Sequence, residues 1–148
     1  MKSSFVILEP EVAGGWGPSS VVVRTPGRPV LIEKLHYRFD GWLGDELLES
    51  TPCFIATRRL VDEVQNAGLS GVDADAVEIS KSSLFRELHP TTELPPFVWL
   101  RVHGEAGVDD FGLTHDLFLV VSSRAYAVIE KYVAHAIVEP FEQHRPKG

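Results

Sequence analysis

Residues able to do chemistry are densest in HGEAGVDDFGLTHD, residues 103–116, where His103, Glu105, Asp109, Asp110, His115 and Asp116 stand among three glycines. Carboxylate oxygens suit hard divalent cations and imidazole adds a nitrogen ligand, so a metal-dependent enzyme would be built here. The spacing follows neither the calcium-loop nor the helical zinc pattern. Asp and Gly are equally what a turn between strands requires, so a structural loop is the competing reading. Asp110-Phe111-Gly112 spells the magnesium-binding triplet of protein kinases, but with no glycine-rich phosphate loop or paired lysine it is coincidental. Ser122 and Ser123 follow His115 and Asp116 without a nucleophile elbow, and a serine between strand and helix reads as a cap. The six histidines, at 36, 89, 103, 115, 135 and 144, include no pair at helical ligand spacing. The single cysteine, Cys53, excludes an internal disulfide and a cysteine zinc cage; in its apolar run it reads as an inert core thiol.

A second candidate is FDGWLGDELLES. Here Trp42 lies between Gly41 and Gly44, amid Asp40, Asp45, Glu46 and Glu49. An aromatic ringed by acids suits contact with a basic protein surface. The same tryptophan could instead plug the end of a sheet and fix the loop. Asp45 is placed to cap a helix of a turn or two before Pro52. Trp16 reads as a turn anchor and Trp99 as cover for a sheet face.

The elements that must position these residues belong to a chain of 148 residues, the length of one domain with a core of its own. Fourteen basic against 21 acidic residues give a net charge of −7, which opposes nucleic acid and anionic membranes and favours a basic partner. Only Phe5 to Leu8 are consecutively apolar near the start, too few for a signal-peptide core or a membrane span, so a cytoplasmic protein is expected. No cofactor or structural metal is indicated.

Strands are expected at Phe5 to Leu8, Val21 to Arg24 and Val30 to Phe39. In the last, Leu31, Leu35, Tyr37 and Phe39 share the dry parity and Lys34, His36 and Arg38 the wetter one. Residues 53–72 and 117–138 then repeat one pattern. Cys53 to Ala56 is a strand, Thr57 an N-cap, Leu60, Val61, Val64 and Ala67 a helical stripe, and Gly68 a stop, with Leu69 to Ile79 returning as strand. In the second copy Leu117 to Val121 is the strand, Ser122 the cap, and Ala125, Val128, Ile129 and Tyr132 the stripe, with Ala136 to Val138 returning. A shift of 65 residues superposes Thr57 on Ser122, Arg59 on Arg124 and Val64 on Ile129. The strand FVWLRVH lies between the copies, with Val98, Leu100 and Val102 on one face and Phe97, Trp99, Arg101 and His103 on the other. The expectation is one α+β (mixed α/β) domain over residues 1–148. It comprises antiparallel-rich N-terminal strands and a loop (1–50), a first strand, helix and strand unit (51–80), a connecting strand and acidic loop (81–116), a second unit (117–141) and a fraying polar tail (142–148).

FDGWLGDELLES with PCFIATRRL, LPPFVWLRVHGEAGVDDFGL and the closing LVVSSRA resembles bacterial immunity-like proteins associated with polymorphic and contact-delivered toxins, a family that began as a domain of unknown function. The match runs from about Val30 to Phe141. A related immunity family carries two CxxCG motifs; this chain has none, so that relative's zinc ribbon is not expected here. The resemblance implies a non-catalytic protein that occludes the site of a co-encoded toxin, and it carries over no catalytic residues. On the residues themselves, the contact surface is expected at Asp40, Trp42, Asp45, Glu46 and Glu49 and at Glu105, Asp109, Asp110 and Asp116. The alternatives are a metal-dependent enzyme using the 103–116 loop and a self-associating scaffold that pairs exposed strand edges.

Overall fold

The computed structural model describes residues 4–142, so the expected fraying of the tail lies almost wholly outside the described residues. The chain runs through β1 (Phe5–Glu9), β2 (Gly14–Trp16), β3 (Val21–Val23), β4 (Leu31–Lys34), β5 (His36–Phe39), β6 (Leu47–Ser50) and β7 (Cys53–Thr57) into helix α1 (Arg58–Asn66). It continues through β8 (Val72–Asp75), β9 (Glu78–Lys81), α2 (Ser83–Leu88), β10 (Phe97–Val102), β11 (Phe111–Leu113) and β12 (Leu119–Ser122). Helix α3 (Ser123–Ile129), a 3-10 turn and β13 (Ile137–Pro140) complete it. The α+β class is as expected.

One sheet, in the order β6-β7-β10-β8, is the middle of the molecule. Strands β7 and β10 are buried on both faces, and alternation along them and β6 feeds two separate cores. Leu47, Phe54, Ala56, Val98 and Leu100 enter one core, while Leu48, Cys53, Ile55, Phe97 and Trp99 enter the other. Each fully buried Leu, Ile or Phe contributes roughly 1.5–3 kcal/mol, which makes this double-faced sheet the main source of stability. The first core is completed by Leu60, Val61 and Val64 of α1, Ala125 and Ile129 of α3, and Leu8, Leu119 and Val121 of a second sheet. The second core is filled by Leu35, by Tyr37 and Phe39 of β5 in a small sheet β2-β5-β9, by Phe85 of α2 and by Ile32 of the hairpin β3-β4.

The repeated phrase folds twice into the same unit. Thr57 Oγ1 accepts from the Leu60 N–H, and Ser122 Oγ accepts from the Ala125 N–H, so both helices begin at side-chain caps. Helix α1 ends as expected, Gly68 taking φ 66°, a conformation costly for any residue with a Cβ. In each unit the strand before the helix and the strand after it are parallel, separated by one antiparallel strand: β10 between β7 and β8, and β1 between β12 and β13. The hairpin partners correspond too, β6 beside β7 and β11 beside β12. The second sheet, β11-β12-β1-β13, is therefore a permuted copy of the first, its inner strand supplied from the start of the chain.

Four local expectations are corrected. The run from Val30 to Phe39 breaks at Leu35 into two strands of different sheets, so Leu31 is exposed and Ile32 buried in its place, while His36 is interior. Its ring accepts from the Ser19 N–H at Nδ1 (3.1 Å), leaving Nε2 to donate to Ser80 Oγ (2.7 Å). The return after α1 is likewise two strands, because β9 crosses to pair in parallel with β5. No helix starts at Asp45, since residues 47–50 pair with β7 as a strand. Finally, β1 is not part of a separate N-terminal group but the inner strand of the second unit.

Candidate functional site

The 103–116 loop does not gather its acids around a common point. Asp109 Oδ2 accepts the Glu105 N–H at 2.7 Å and closes a local turn. Asp110 is a hub of the fold. Its Oδ1 accepts from Ser122 Oγ (2.6 Å), and its Oδ2 from the Ser70 N–H (2.9 Å) and Arg124 (3.2 Å). Burial raises the pKa of that carboxyl, but the Ser122, Ser70 and Arg124 donors outweigh it and hold the group below its ordinary value. Ser122 is committed to Asp110 and to its helix and is no nucleophile poised on His115. Gly71 takes φ 93°, and a Cβ there would lie 2.1 Å from the Phe111 carbonyl oxygen, so the loop seats directly on backbone. Glu105 and Asp116 remain exposed, and His103 pairs with Asp73 of β8 (3.2 Å).

Around Trp42 the acids also separate by role. Asp45 is only 3% exposed, so it is removed from the expected contact surface. Its Oδ1 accepts the Ala134 N–H (2.9 Å) and His135 Nδ1 (3.0 Å), and its Oδ2 accepts the His135 N–H (2.8 Å), which clasps the end of the second unit to the first. Behind it the buried Glu11 accepts the Leu43 N–H (2.6 Å) and the Asp45 N–H (3.2 Å). Glu11, Asp45 and His135 bring their ligand-type atoms within 4.8 Å of one another, the one such grouping of three among the described residues. Every carboxylate oxygen in it already accepts an N–H, which accounts for the burial of both acids.

Glu46 faces the helix side. It accepts from Thr57 Oγ1 (2.8 Å) and in a forked pair from Arg59. The Arg59 hydrogen bond, ahead of the Thr57 one, holds its carboxyl below the ordinary range. Arg59 also lies over the Tyr132 ring at 5.2 Å, and Tyr132 donates to Glu63, so this cluster ties α1 to the second unit. Glu49 is half-buried on β6, its pKa raised by burial, and it accepts from Thr51 at 2.7 Å.

Trp42 is half-buried, edge-on to Phe39 and Phe97 at 6.4 and 6.1 Å, and its indole N–H donates to the Asp45 carbonyl (2.9 Å). It plugs the second core and simultaneously lines a surface groove of about 370 Å³, with Val12 and Leu43 at 66% exposure and the exposed Asp40 at its rim. Val12 and Leu43 went unnoticed in the sequence. The available signal was a leucine at the tip of a Gly-bounded turn, where a polar residue is usual. A second, larger concavity lies beside β10 and is lined by apolar side chains together with Thr51, Arg101 and His115. Among the described residues, no helix is long and apolar enough to cross a membrane. Comparisons with family models, curated proteins and solved structures give no match to this chain.

Proposed function

We propose that this chain is a non-catalytic protein-binding module of the immunity type, which neutralises a co-encoded toxin by occluding the toxin's site. The observation that carries the reading is the Trp42 groove. Two exposed aliphatic residues on separate segments flank a half-buried aromatic, and Glu11, Asp45 and Trp42 itself fix the backbone beneath them. A rigid apolar centre with an acidic edge is the anatomy of a protein contact, and preorganised anchors lose little freedom on binding. The net charge of −7 would speed encounter with a basic partner without setting how long it stays. The toxin itself is inferred from the resemblance of residues 30–141.

The experiment is co-expression with the product of the adjacent gene. This chain should restore growth to cells making that product, and the double variant Val12→Asp, Leu43→Asp should not, although both are produced and folded. Protection that survives the double variant would reject the groove as the contact. An adjacent product that is harmless alone and unbound in calorimetry would reject the toxin reading.

A further inference from the structure

The larger concavity has the chemistry of a ligand site distinct from the Trp42 groove. It encloses about 650 Å³, within the range of small-molecule sites. It is bounded by β4 and the residues leading into it, by the turn at Thr51–Cys53, by β10 and by residues 113–117. Trp16, Ile32, Trp99, Val102, Leu113 and Leu117 supply most of its apolar wall. No Asp or Glu lines it, although the chain is rich in both; its charged or chargeable groups are Arg101 and His115.

Arg101 is prepositioned. Its guanidinium lies 4.1 Å from the centre of the Trp99 ring, donates to Asp75 at 2.9 Å and reaches the Ile32 carbonyl at 3.4 Å. These contacts fix its plane while leaving further N–H donors unspent. Two features of the walls are unresolved by the fold alone. The Trp16 indole N–H is cut off from water and has no acceptor among the described residues, an unfavourable state for a buried donor. At the mouth, Leu117 is held at φ 70°, a conformation uncommon for leucine.

We propose that this cleft binds a free amphipathic monocarboxylate with an unbranched acyl chain, a class of ligand that fits the size of such sites. Its tail lies along Trp99, Ile32 and Leu117, and its carboxylate sits at Arg101 with His115 beside it. Charge complementarity favours the anion: no acid lines the space, and Arg101, paired with Asp75 outside the lining, keeps N–H donors free toward it.

The test uses the intact chain and decanoate below its self-association range, read by intrinsic tryptophan fluorescence and calorimetry. Saturable binding with one site per chain is expected, with decanol and decyltrimethylammonium each at least about tenfold weaker. Arg101→Gln should lower decanoate affinity about tenfold and leave decanol unchanged. Leu31→Glu, at a position about half exposed on the cleft wall, cannot unfold the chain through lost burial and should weaken decanoate similarly while sparing the ammonium compound. Absence of saturable decanoate binding, equal affinity for the ammonium compound, or indifference to Leu31→Glu would each overturn the assignment.

Discussion

Asp45 offers the sharpest check on the fold, because sequence and structure give it opposite roles. As a surface acid it should be replaceable at little cost. As a buried clasp it should not, since its side chain takes three N–H donors from Ala134 and His135. Hydrogen bonds to a charged acceptor contribute about 1.5–3 kcal/mol each in dry surroundings. Ala134 and His135 are exposed, so water replaces part of that and about 1 kcal/mol per backbone bond is the fairer figure. Asp45→Ala should therefore lose about 2–3 kcal/mol. Asp45→Asn should lose nearly as much, because whichever way the amide turns, its NH₂ meets a backbone N–H. For a chain of this size that is a fall of roughly 5–10 °C in Tm and a lower urea midpoint at unchanged m. An Asp45→Asn protein with the wild-type midpoint would refute the clasp and return Asp45 to the surface.

The Trp42 loop should separate stability from binding: Trp42→Ala should destabilise by about 2–3 kcal/mol, below the usual cost for a fully buried tryptophan, whereas Leu43→Asp should leave the urea midpoint unchanged and weaken partner binding. Burial pushes the Cys53 thiol up to about 12, with Arg101 opposing, so a thiol-specific disulfide reagent at pH 8 should label it only after denaturation; prompt native labelling would show the thiol reachable from the cleft or through local opening of β7. Asp110 sits below its ordinary pKa, so its contribution is complete above the unfolded value of about 3.9 and is lost as pH falls through the folded value. The stability gap between wild type and Asp110→Asn, measured by urea titration, should thus be constant above about pH 5 and narrow below about pH 4; a gap that widens on acidification would contradict the hydrogen-bonded carboxylate.

The legible parts of the fold were those set by near neighbours. The apolar runs 53–56 and 97–100 were readable as strands because both are buried on two faces by unlike cores, and Thr57, Ser122 and Gly68 carry their cap and stop chemistry in their own side chains or lack of one. Sheet membership was not readable. Nothing near Phe5 to Glu9 announces that its partners are β12 and β13, because pairing is decided by a distant edge. Residues 45–49, with an acid cap and paired leucines, favour a helix locally; pairing with β7 overrides that preference. The site suffered likewise. Asp45 and Asp110 were read as partner-contact acids because their true partners, the amides of residues 134–135 and the Ser122 hydroxyl, are brought to them only by the fold. Arg101 was placed on the correct face of its strand, but the cleft beside it exists only once β4 and Leu117 are brought there.

The permuted second sheet sets a timetable for the chain as it leaves the ribosome. Strand β1 is made about 110 residues before the strand it lies against, and at about 5–20 residues per second it waits several seconds or longer with neither edge covered. The first unit can close from a contiguous stretch of chain while the second cannot, which places the slow, aggregation-exposed step at the capture of β1. Delivering residues 5–9 as a detached peptide to a chain lacking them would separate that capture from all the folding that precedes it.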